Sequence, residues 1–456
     1  MHVATSRLAV PFHGDGAGTA PLTWGQWEIW QTMRRTGRTL NIGGTVALGP
    51  DASVAELAGT LGRLVSRHQA LRTRFSLAGE PPRQILSASG AVDLDVIAST
   101  SDGAAAAAEA LRSRYEFTPF DLATEFPVRW GVVTVDGTPS HLVVQYSHLA
   151  VDGFGIEALV RDLPHLADDA PAGGVRPLDL AHRQALPAER RHSAKSLRHW
   201  EAALRDLPAA RFGTSDDPRT PRFWEVVCHS PALHLALQVV AARAGVETGH
   251  VLLAAYGVAL SRVTGRTPSV AQVLVSNRFR PGFADAVCHL TQPGICVIDV
   301  SIGDVSIGAG DGGGGDGGGY LDAVAKRVWR AATSAYLHGY YDPADHRAML
   351  DRLAADPDVP IDISCFVNDR RGPAAALPAV PPTADQVRAA LPGTTLRWDR
   401  TLPTYDGTFY LQVDAADAAV DLAIWADTHR LSPAQVEACA RGIESAAVDA
   451  ALNPPG

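Results

Sequence analysis

The hydrophobic pattern near the first third of the chain predicts a strand, a bend and a helix in direct succession. An apolar strand is expected at 141–146. After a short polar and glycine-containing stretch, apolar residues recur at the i, i+3, i+4, i+7 spacing of an amphipathic helix: Ile156, Leu159, Val160 and Leu163. The stretch between the two elements holds most of the candidate chemistry of the chain.

The same patterns alternate along the rest of the sequence. Helices are predicted at 21–35, 53–68, 103–115, 193–205, 231–244, 248–263, 320–337 and 432–447. Strands are predicted at 41–48, 71–77, 128–135, 269–276, 361–367, 408–413 and 420–425, with a further β stretch at 83–97. The first helix has Thr23 before it and Gln26 three residues later, which is the spacing of a capping box. Interleaved helices and strands predict an α/β fold (α+β layered).

Length and composition predict two domains. A chain of 456 residues is too long for one core, and 168–221 is enriched in Pro, Ala, Asp and Arg, as a linker would be. We expect an N-terminal arm at 1–20, one subdomain at 21–185 and a second at 186–456. Their similar α/β character suggests an internal duplication with a site between the halves. The glycine run at 308–319 is expected to be a flexible insertion, because its aspartates disfavour a phosphate-binding loop.

Composition narrows the class of protein. Apolar residues make up 46% and charged residues 20% of the chain, as in globular proteins, and the formal net charge of −9 argues against nucleic-acid binding. The five cysteines show no CxxC pairing, so neither a disulfide framework nor a zinc knuckle is expected. There is no basic-then-apolar secretory leader and no run of 18 apolar residues. We therefore expect a cytoplasmic protein that does not interact with membranes.

The bend contains Ser147, His148, Asp152 and Gly153. Histidine supplies a base with a pKa near neutrality. Asp152 could hold the bend or cap the helix, and Gly153 could permit a close turn. The same spacing also fits a buried histidine bonded to backbone, with Asp152 serving only as a cap.

Two other kinds of site are disfavoured. A serine-hydrolase triad lacks the GxSxG elbow, and neighbouring Ser147 and His148 would point to opposite faces of an extended chain. In YDPADH, Asp342, Asp345 and His346 lie close together, but such proline–aspartate clusters usually form turns. No metal site is predicted.

Six stretches, taken in order, resemble the condensation domains of nonribosomal peptide synthetases, within the chloramphenicol-acetyltransferase-like superfamily. They are PLTWGQWEIW (21–30), RHQALRTRF (67–75), PFDLATEFPVRW (119–130), SHLAVDG (147–153), VSNRFRPGF (275–283) and ISCFVNDR (363–370). The resemblance covers most of 20–450. It implies two acyltransferase-like subdomains arranged as a V, with a central tunnel that two carrier-protein phosphopantetheine arms enter from opposite faces.

The resemblance also implies roles for individual residues. His148 matches the second histidine of the family signature HHxxxDG, and Asp152 and Gly153 match its last two positions. The family's aspartate is chiefly structural and pairs with an arginine of the second subdomain, which would here be Arg278. The first signature histidine is Ser147 here; its family role is supportive, so its loss does not by itself predict inactivity.

Three residues are expected to line the substrate tunnel: Ser147, Gly155 and Asn368. The implied function is a free-standing condensation enzyme of natural-product biosynthesis. It would transfer a carrier-tethered acyl or aminoacyl group from a thioester to an amine or alcohol, giving an amide or an ester. His148 would either accept the proton of the nucleophile or hydrogen-bond the tetrahedral intermediate.

No permanently bound cofactor is expected, since the acyl group would arrive on a phosphopantetheine arm or on coenzyme A. Two alternatives remain. One is a non-catalytic condensation-like platform that docks a carrier protein or a tailoring enzyme, which Ser147 motivates. The other is a coenzyme-A-dependent O-acyltransferase of the same fold.

Overall fold

The chain divides into two compact units. A computed structural model describes residues 5–167, 172–207, 211–301, 319–356, 359, 361–372 and 377–455. One unit comprises Met1–Arg191 and Ser276–Gln292, and the other His192–Val275 and Pro293–Gly456. This differs from the single boundary expected after residue 185, because 276–292 belongs to the first unit. Except for Gly319, the glycine run predicted at 308–319 lies outside the described residues.

The described residues form helices and strands that alternate along both units. The helices are α1 Trp24–Thr36, α2 Val54–Arg67, α3 Ala104–Phe117, α4 Gly153–Asp162, α5 Pro177–Gln184, α6 Pro187–Arg205, α7 Pro231–Ala244, α8 Thr248–Thr264, α9 Tyr320–Leu337, α10 Pro343–Ala354, α11 Ala384–Ala390 and α12 Pro433–Leu452. The strands are β1 Thr5–His13, β2 Gly18–Pro21, β3 Asn41–Ala47, β4 Thr73–Ser76, β5 Arg83–Leu86, β6 Ser89–Ser99, β7 Val128–Val135, β8 Thr138–Ser147, β9 Phe223–Ser230, β10 Ser269–Val275, β11 Gln292–Ile298, β12 Cys365–Asp369, β13 Thr395–Leu402, β14 Phe409–Ala416 and β15 Ala419–Asp427. The mixed α/β class predicted from the sequence is confirmed.

The first unit contains a five-stranded sheet in the order β1-β6-β7-β8-β3 and a three-stranded sheet in the order β2-β5-β4. Neighbouring residues of β7 face opposite sides of the larger sheet, as the pleat requires. Val132 joins the core that contains Leu61 and Leu64 of α2, and Val133 joins the core that contains Leu111 of α3. Both faces of the sheet are therefore covered.

Residues 5–13, within the arm expected at 1–20, form a strand of the larger sheet rather than a separate arm. β1 pairs antiparallel with β6 from Thr5 opposite Ile97 to His13 opposite Ser89, so this segment is an edge strand of the larger sheet. Extended backbone with unpaired amides is stabilised by adding to an available sheet edge.

β8 positions the bend that the sequence analysis singled out. It lies between β7 and β3 and pairs antiparallel with both, up to Ser147 opposite Asn41. The three residues that follow His148 are fully buried: Leu149, Ala150 and Val151. The pairing of β8 with two neighbouring strands and the burial of the three apolar residues together fix the position at which α4 begins.

The second unit is built on a seven-stranded sheet in the order β11-β10-β12-β14-β15-β9-β13. α8 is buried at every position from His250 to Ser261, so it is a central core helix rather than an amphipathic surface helix. α7, α9 and α12 contribute to the same apolar core. Among helices in the described ranges, none combines the length and apolarity needed to cross a membrane.

The sequence patterns missed several elements of the chain. They do not predict β9 or β13, which pair with each other, nor the short helices α5 and α11. The YDPADH segment is also more than a turn, because Asp342 accepts a hydrogen bond from Ala344 N and caps α10.

Candidate functional site

The bend after β8 is held by two local hydrogen bonds. The Asp152 Oδ1 atom accepts from Gly155 N at 2.8 Å and caps α4. The His148 Nδ1 atom lies 2.8 Å from Val151 O. The predicted helix cap is therefore present, and the imidazole is tied to the backbone of the same bend.

The Asp152 carboxylate is buried, with the residue 1% exposed, and it accepts five hydrogen bonds. Besides Gly155 N, Oδ1 receives Arg278 Nη2 at 2.5 Å. Oδ2 receives Leu290 N at 2.9 Å, Thr291 N at 3.1 Å and Thr291 Oγ1 at 2.9 Å. Burial by itself raises the pKa of this carboxyl, but the Arg278 charge and the amide donors outweigh it and hold the pKa below its usual range. Asp152 is an ionised anchor.

Arg278 meets Asp152 as the sequence analysis expected. Its Nη2 also donates to Cys288 O at 3.2 Å, and its side chain is 11% exposed. The partner segment 276–292 belongs to the first unit rather than the second. The donors that converge on Asp152 from this segment give the physical reason for that assignment.

The hydrogen bond of His148 fixes its tautomer. A backbone carbonyl only accepts, so Nδ1 carries the hydrogen that is donated to Val151 O, and Nε2 of the neutral ring carries the lone pair. His148 is partly exposed, and Nε2 has no hydrogen-bond partner among the described residues. Burial lowers the pKa of His148, opposed by the Val151 contact and by Asp152. The ring is therefore a neutral base near pH 7.

A second imidazole, which the sequence analysis missed, packs against the first. The His289 and His148 ring centroids lie 4.8 Å apart with an interplanar angle of 70°. His289 Nδ1 lies 3.0 Å from His148 O, and Nε2 lies 3.1 Å from Thr291 O. Burial lowers the pKa of His289 to about 3. A lone histidine in CHLTQPG carries no periodic signal that would have identified it.

The two glycines of the bend differ from expectation. Gly153 is exposed, a Cβ there would meet nothing within 4 Å, and its backbone is not left-handed, so no close turn requires glycine. Gly155 is buried, and a Cβ there would lie 3.1 Å from Cys288 O. Gly155 thus permits the close approach of α4 to the 276–292 segment, and its place along a tunnel stays a prediction.

Ser147, which is expected to line the tunnel, lies at the end of β8. It is fully buried, and its hydroxyl is enclosed without a hydrogen-bond partner in the described part of the chain. Ser147 is the last residue of β8, and His148 follows the strand with a partly exposed side chain. Its place along a substrate tunnel stays a prediction.

Asn368, the third expected tunnel residue, lies on β12 of the second unit. Its Nδ2 donates to Tyr410 Oη at 3.4 Å. Its role in substrate binding stays a prediction, as do the tunnel and the V arrangement. His346 of YDPADH is buried against Trp200 and Tyr341. Across the described ranges, no group of three or more His, Cys, Asp or Glu side chains could hold a metal ion.

Comparison with known proteins identifies relatives among peptide synthetases. The model of the condensation-domain family matches residues 17–292. The phosphinothricin tripeptide synthetase PhsC of Streptomyces viridochromogenes is 27% identical over 297 residues, which are 61% of this chain and 27% of PhsC. The probable non-canonical nonribosomal peptide synthetase CymA of Salinispora arenicola is 30% identical over 309 residues, which are 62% of this chain and 4% of CymA. The chain thus spans about a quarter or less of these relatives.

Solved structures show the same fold over nearly the whole chain. The condensation domain of the Monacolin K polyketide synthase MokA has a TM-score of 0.71 at 15% identity and covers 97% of this chain and 99% of its own. SgcC5 from Streptomyces globisporus has a TM-score of 0.68 at 18% identity, and the match covers 96% of this chain and 100% of SgcC5. The X-domain from teicoplanin biosynthesis has a TM-score of 0.70 at 17% identity, with 98% of each chain covered. Since the family model matches more than half of the chain, the protein belongs to the condensation-domain family and has its chloramphenicol-acetyltransferase-like fold.

Proposed function

We propose that this protein transfers an acyl or aminoacyl group from a carrier-protein thioester to an amine or alcohol acceptor. The observation that carries the proposal is the His148 imidazole, whose Nδ1 is bonded to Val151 O and whose Nε2 is left with a lone pair on a partly exposed ring. Membership of the condensation-domain family supplies the reaction class.

The proposed step forms a C–N or C–O bond and breaks a C–S bond. The acceptor attacks the thioester carbonyl while Nε2 of His148 takes the proton from its nitrogen or oxygen. The tetrahedral intermediate then collapses and expels the phosphopantetheine sulfur, which receives the proton and leaves as a thiol. A thioester is already activated, so holding the two reactants together can supply about 7–11 kcal/mol of the barrier reduction.

The tautomer of His148 favours the base role over direct stabilisation of the oxyanion. A neutral ring with its hydrogen on Nδ1 has none on Nε2 to donate to a developing oxyanion. The lowered pKa keeps the ring in this neutral form. Nε2 can donate only after it has accepted the acceptor's proton.

Asp152 has a structural part in this mechanism. Its two oxygens are already occupied by donors from α4 and from 276–292, and the low pKa leaves it no proton to give. It holds the bend that presents His148.

The test is product formation by a His148→Ala variant. Carrier-bound acyl donors are incubated with a panel of amines and alcohols, and products are measured by mass spectrometry. We expect a fall of about 10²–10⁴-fold in turnover, as for loss of a general base, with the thermal unfolding midpoint retained. Full turnover by this variant would refute the catalytic assignment.

A matched control is His338→Ala. His338 is also partly exposed, and its Nδ1 also lies 2.8 Å from a backbone carbonyl, that of Ser334. It lies in the second unit, at the end of α9. We expect it to keep wild-type turnover, so that a loss in the His148 variant reports the site and not the removal of any such imidazole.

The second candidate function is a docking platform without turnover. Ser147 in place of the first signature histidine favours it, and the X-domain of teicoplanin biosynthesis, which shares the fold, forms a complex with OxyB. Binding of a carrier protein with no product from any donor would support this alternative. Parallel assays with acyl-coenzyme A and acyl-carrier protein separate the coenzyme-A-dependent transferase from the condensation enzyme.

A further inference from the structure

We infer that His289 is a positioning residue for His148, and that its ring, rather than its hydrogen-bonding nitrogens, holds the His148 imidazole with Nε2 facing outward. The inference rests on the proposed role of His148. It concerns a residue that acts through its contact with another side chain, not one that touches the reacting atoms.

The contact between the two rings has the geometry of a stable aromatic pair. The rings meet edge to face, with centroids 4.8 Å apart and planes at 70°. One hydrogen bond at Nδ1 still allows the His148 ring to pivot about that bond. A second contact on the side of the ring removes this freedom and fixes the direction of Nε2.

His289 is itself held in place from several sides. It is 3% exposed, and its two nitrogens face the carbonyl oxygens of His148 and Thr291. A neutral imidazole has one N–H, so one of these contacts at a time is a hydrogen bond. Thr291 Oγ1 donates a hydrogen bond to Asp152 Oδ2. Helix α1 packs against His289 so closely that a Cβ on Gly25 would lie 2.4 Å from His289 O. The His289 ring is therefore held in a fixed position beside His148.

The His289 ring is also uncharged. Burial keeps His289 neutral, so it adds no positive charge beside the base. The charged groups that face the pair are Asp152 from the bend and Arg278 from 276–292, and these two neutralise each other. The main effect of His289 on His148 is then exclusion of water, which acts in the same direction as the burial that already lowers the pKa of His148.

Two substitutions separate the ring from the hydrogen bond. His289→Phe keeps an aromatic ring and removes both nitrogens. His289→Asn places an amide nitrogen near the position of Nδ1 and removes the ring. Two readouts are used in the full chain: kcat and KM with a carrier-bound donor, and the tautomer and pKa of His148 from NMR of protein labelled with ¹⁵N-histidine.

We expect His289→Phe to keep kcat within about threefold and His289→Asn to lower it by about tenfold to a hundredfold with KM little changed, as for a displaced catalytic group. In the Asn variant His148 should no longer be purely the Nδ1–H tautomer. Its pKa should rise because water reaches the ring, which moves the acid limb of the kcat profile to higher pH. His346→Asn, at another buried histidine packed against aromatic rings in the second unit, should change neither readout.

Three results would overturn the inference. They are an Asn variant with wild-type kcat and an unchanged His148 tautomer, a Phe variant as impaired as the Asn variant, and an equal effect of His346→Asn. Should the Asn variant fail to fold, His289→Leu fills the space without an aromatic edge and repeats the comparison. If turnover persists in His148→Ala, the proposed function fails, whereas the NMR of His148 still tests the contact with His289.

Discussion

The two units each bury a carboxylate that pairs with arginine, but they do so in different ways. In the second unit, Asp427 accepts Arg222 Nε at 2.7 Å and Nη2 at 2.6 Å, and the arginine side chain is 46% exposed. In the first unit, Asp152 pairs with Arg278, whose side chain is only 11% exposed. The carboxylates are similarly buried, so the difference lies in the cation.

The Asp427–Arg222 ion pair is therefore partly exposed to solvent, whereas the Asp152–Arg278 ion pair is buried. Water can solvate Arg222 if its partner is lost, whereas Arg278 would be left as an uncompensated charge. Asp152 also takes amide donors from Leu290 and Thr291, on a segment remote in sequence. The first unit thus has a buried ionic network at Asp152, in the same bend as the candidate base His148, where a fixed geometry serves the proposed chemistry.

The largest effect we predict is that of Asp152→Asn. The substitution removes the negative charge and puts an amide where only donors point, so the free energy of unfolding should fall by about 3–5 kcal/mol. Chemical denaturation measures it. In Asp427→Asn, Arg222 can be rehydrated, and the loss should be about 1–2 kcal/mol. Equal losses in the two variants would remove the distinction between the two carboxylates.

A medium effect is expected in the pH dependence of stability. Burial lowers the pKa of His289 from 6.5 to about 3, so below pH 6.5 the unfolded chain binds a proton that the folded chain does not. The free energy of unfolding therefore falls as the pH falls through this window, by up to about 1.4 kcal/mol per pH unit for this one group. His289→Phe should flatten the pH profile by that amount.

The second unit offers the matched titration. Burial also lowers the pKa of His346 to about 3, so His346→Phe should flatten the profile to the same degree. Where the two units unfold in separate transitions, each substitution should act on the transition of its own unit. If both variants show the same pH dependence of the unfolding free energy as the wild type between pH 6.5 and 4, that result would contradict the neutral state of these rings.

The smallest predicted effect is the difference in stability between alanine substitutions at the two glycines of the bend. Gly155→Ala would place a methyl group 3.1 Å from Cys288 O and 3.3 Å from Asp152 Oδ1, and overpacking of this kind typically destabilises by about 1–3 kcal/mol. Gly153→Ala meets no neighbour, so its stability should stay within about 0.5 kcal/mol of wild type. Thermal unfolding monitored by circular dichroism measures both, and a reversed order would place the close contact elsewhere.

Local chemistry made much of the fold predictable from the sequence. Thr23 and Gln26 form the expected capping box at the start of α1, because that motif depends only on residues three apart. The strand, bend and helix around His148 have the predicted order. The pairing of Asp152 with Arg278 came from the family resemblance, since no periodicity connects residues so far apart.

What could not be predicted depends on tertiary contacts. The ring contact of His289 with His148 arises only when the 276–292 segment folds onto the bend. The spacing HxxxDG directed attention to Gly153, although the packing requirement falls on Gly155. β9 follows a stretch rich in proline and charge, and its partners β13 and β15 come much later in the chain, so no local pattern announces it.

The distance of 138 residues between Asp152 and Leu290 has a consequence for how the molecule is made. During synthesis on the ribosome, the carboxylate must wait for the 276–292 segment to emerge before its anchoring amides exist. A fragment that stops at Arg191 would carry the whole signature yet lack Arg278, Leu290 and Thr291. The bend around His148 is therefore completed only after residue 291 has been synthesised, and a gene fragment cut at the first boundary between units would lack these partners of Asp152.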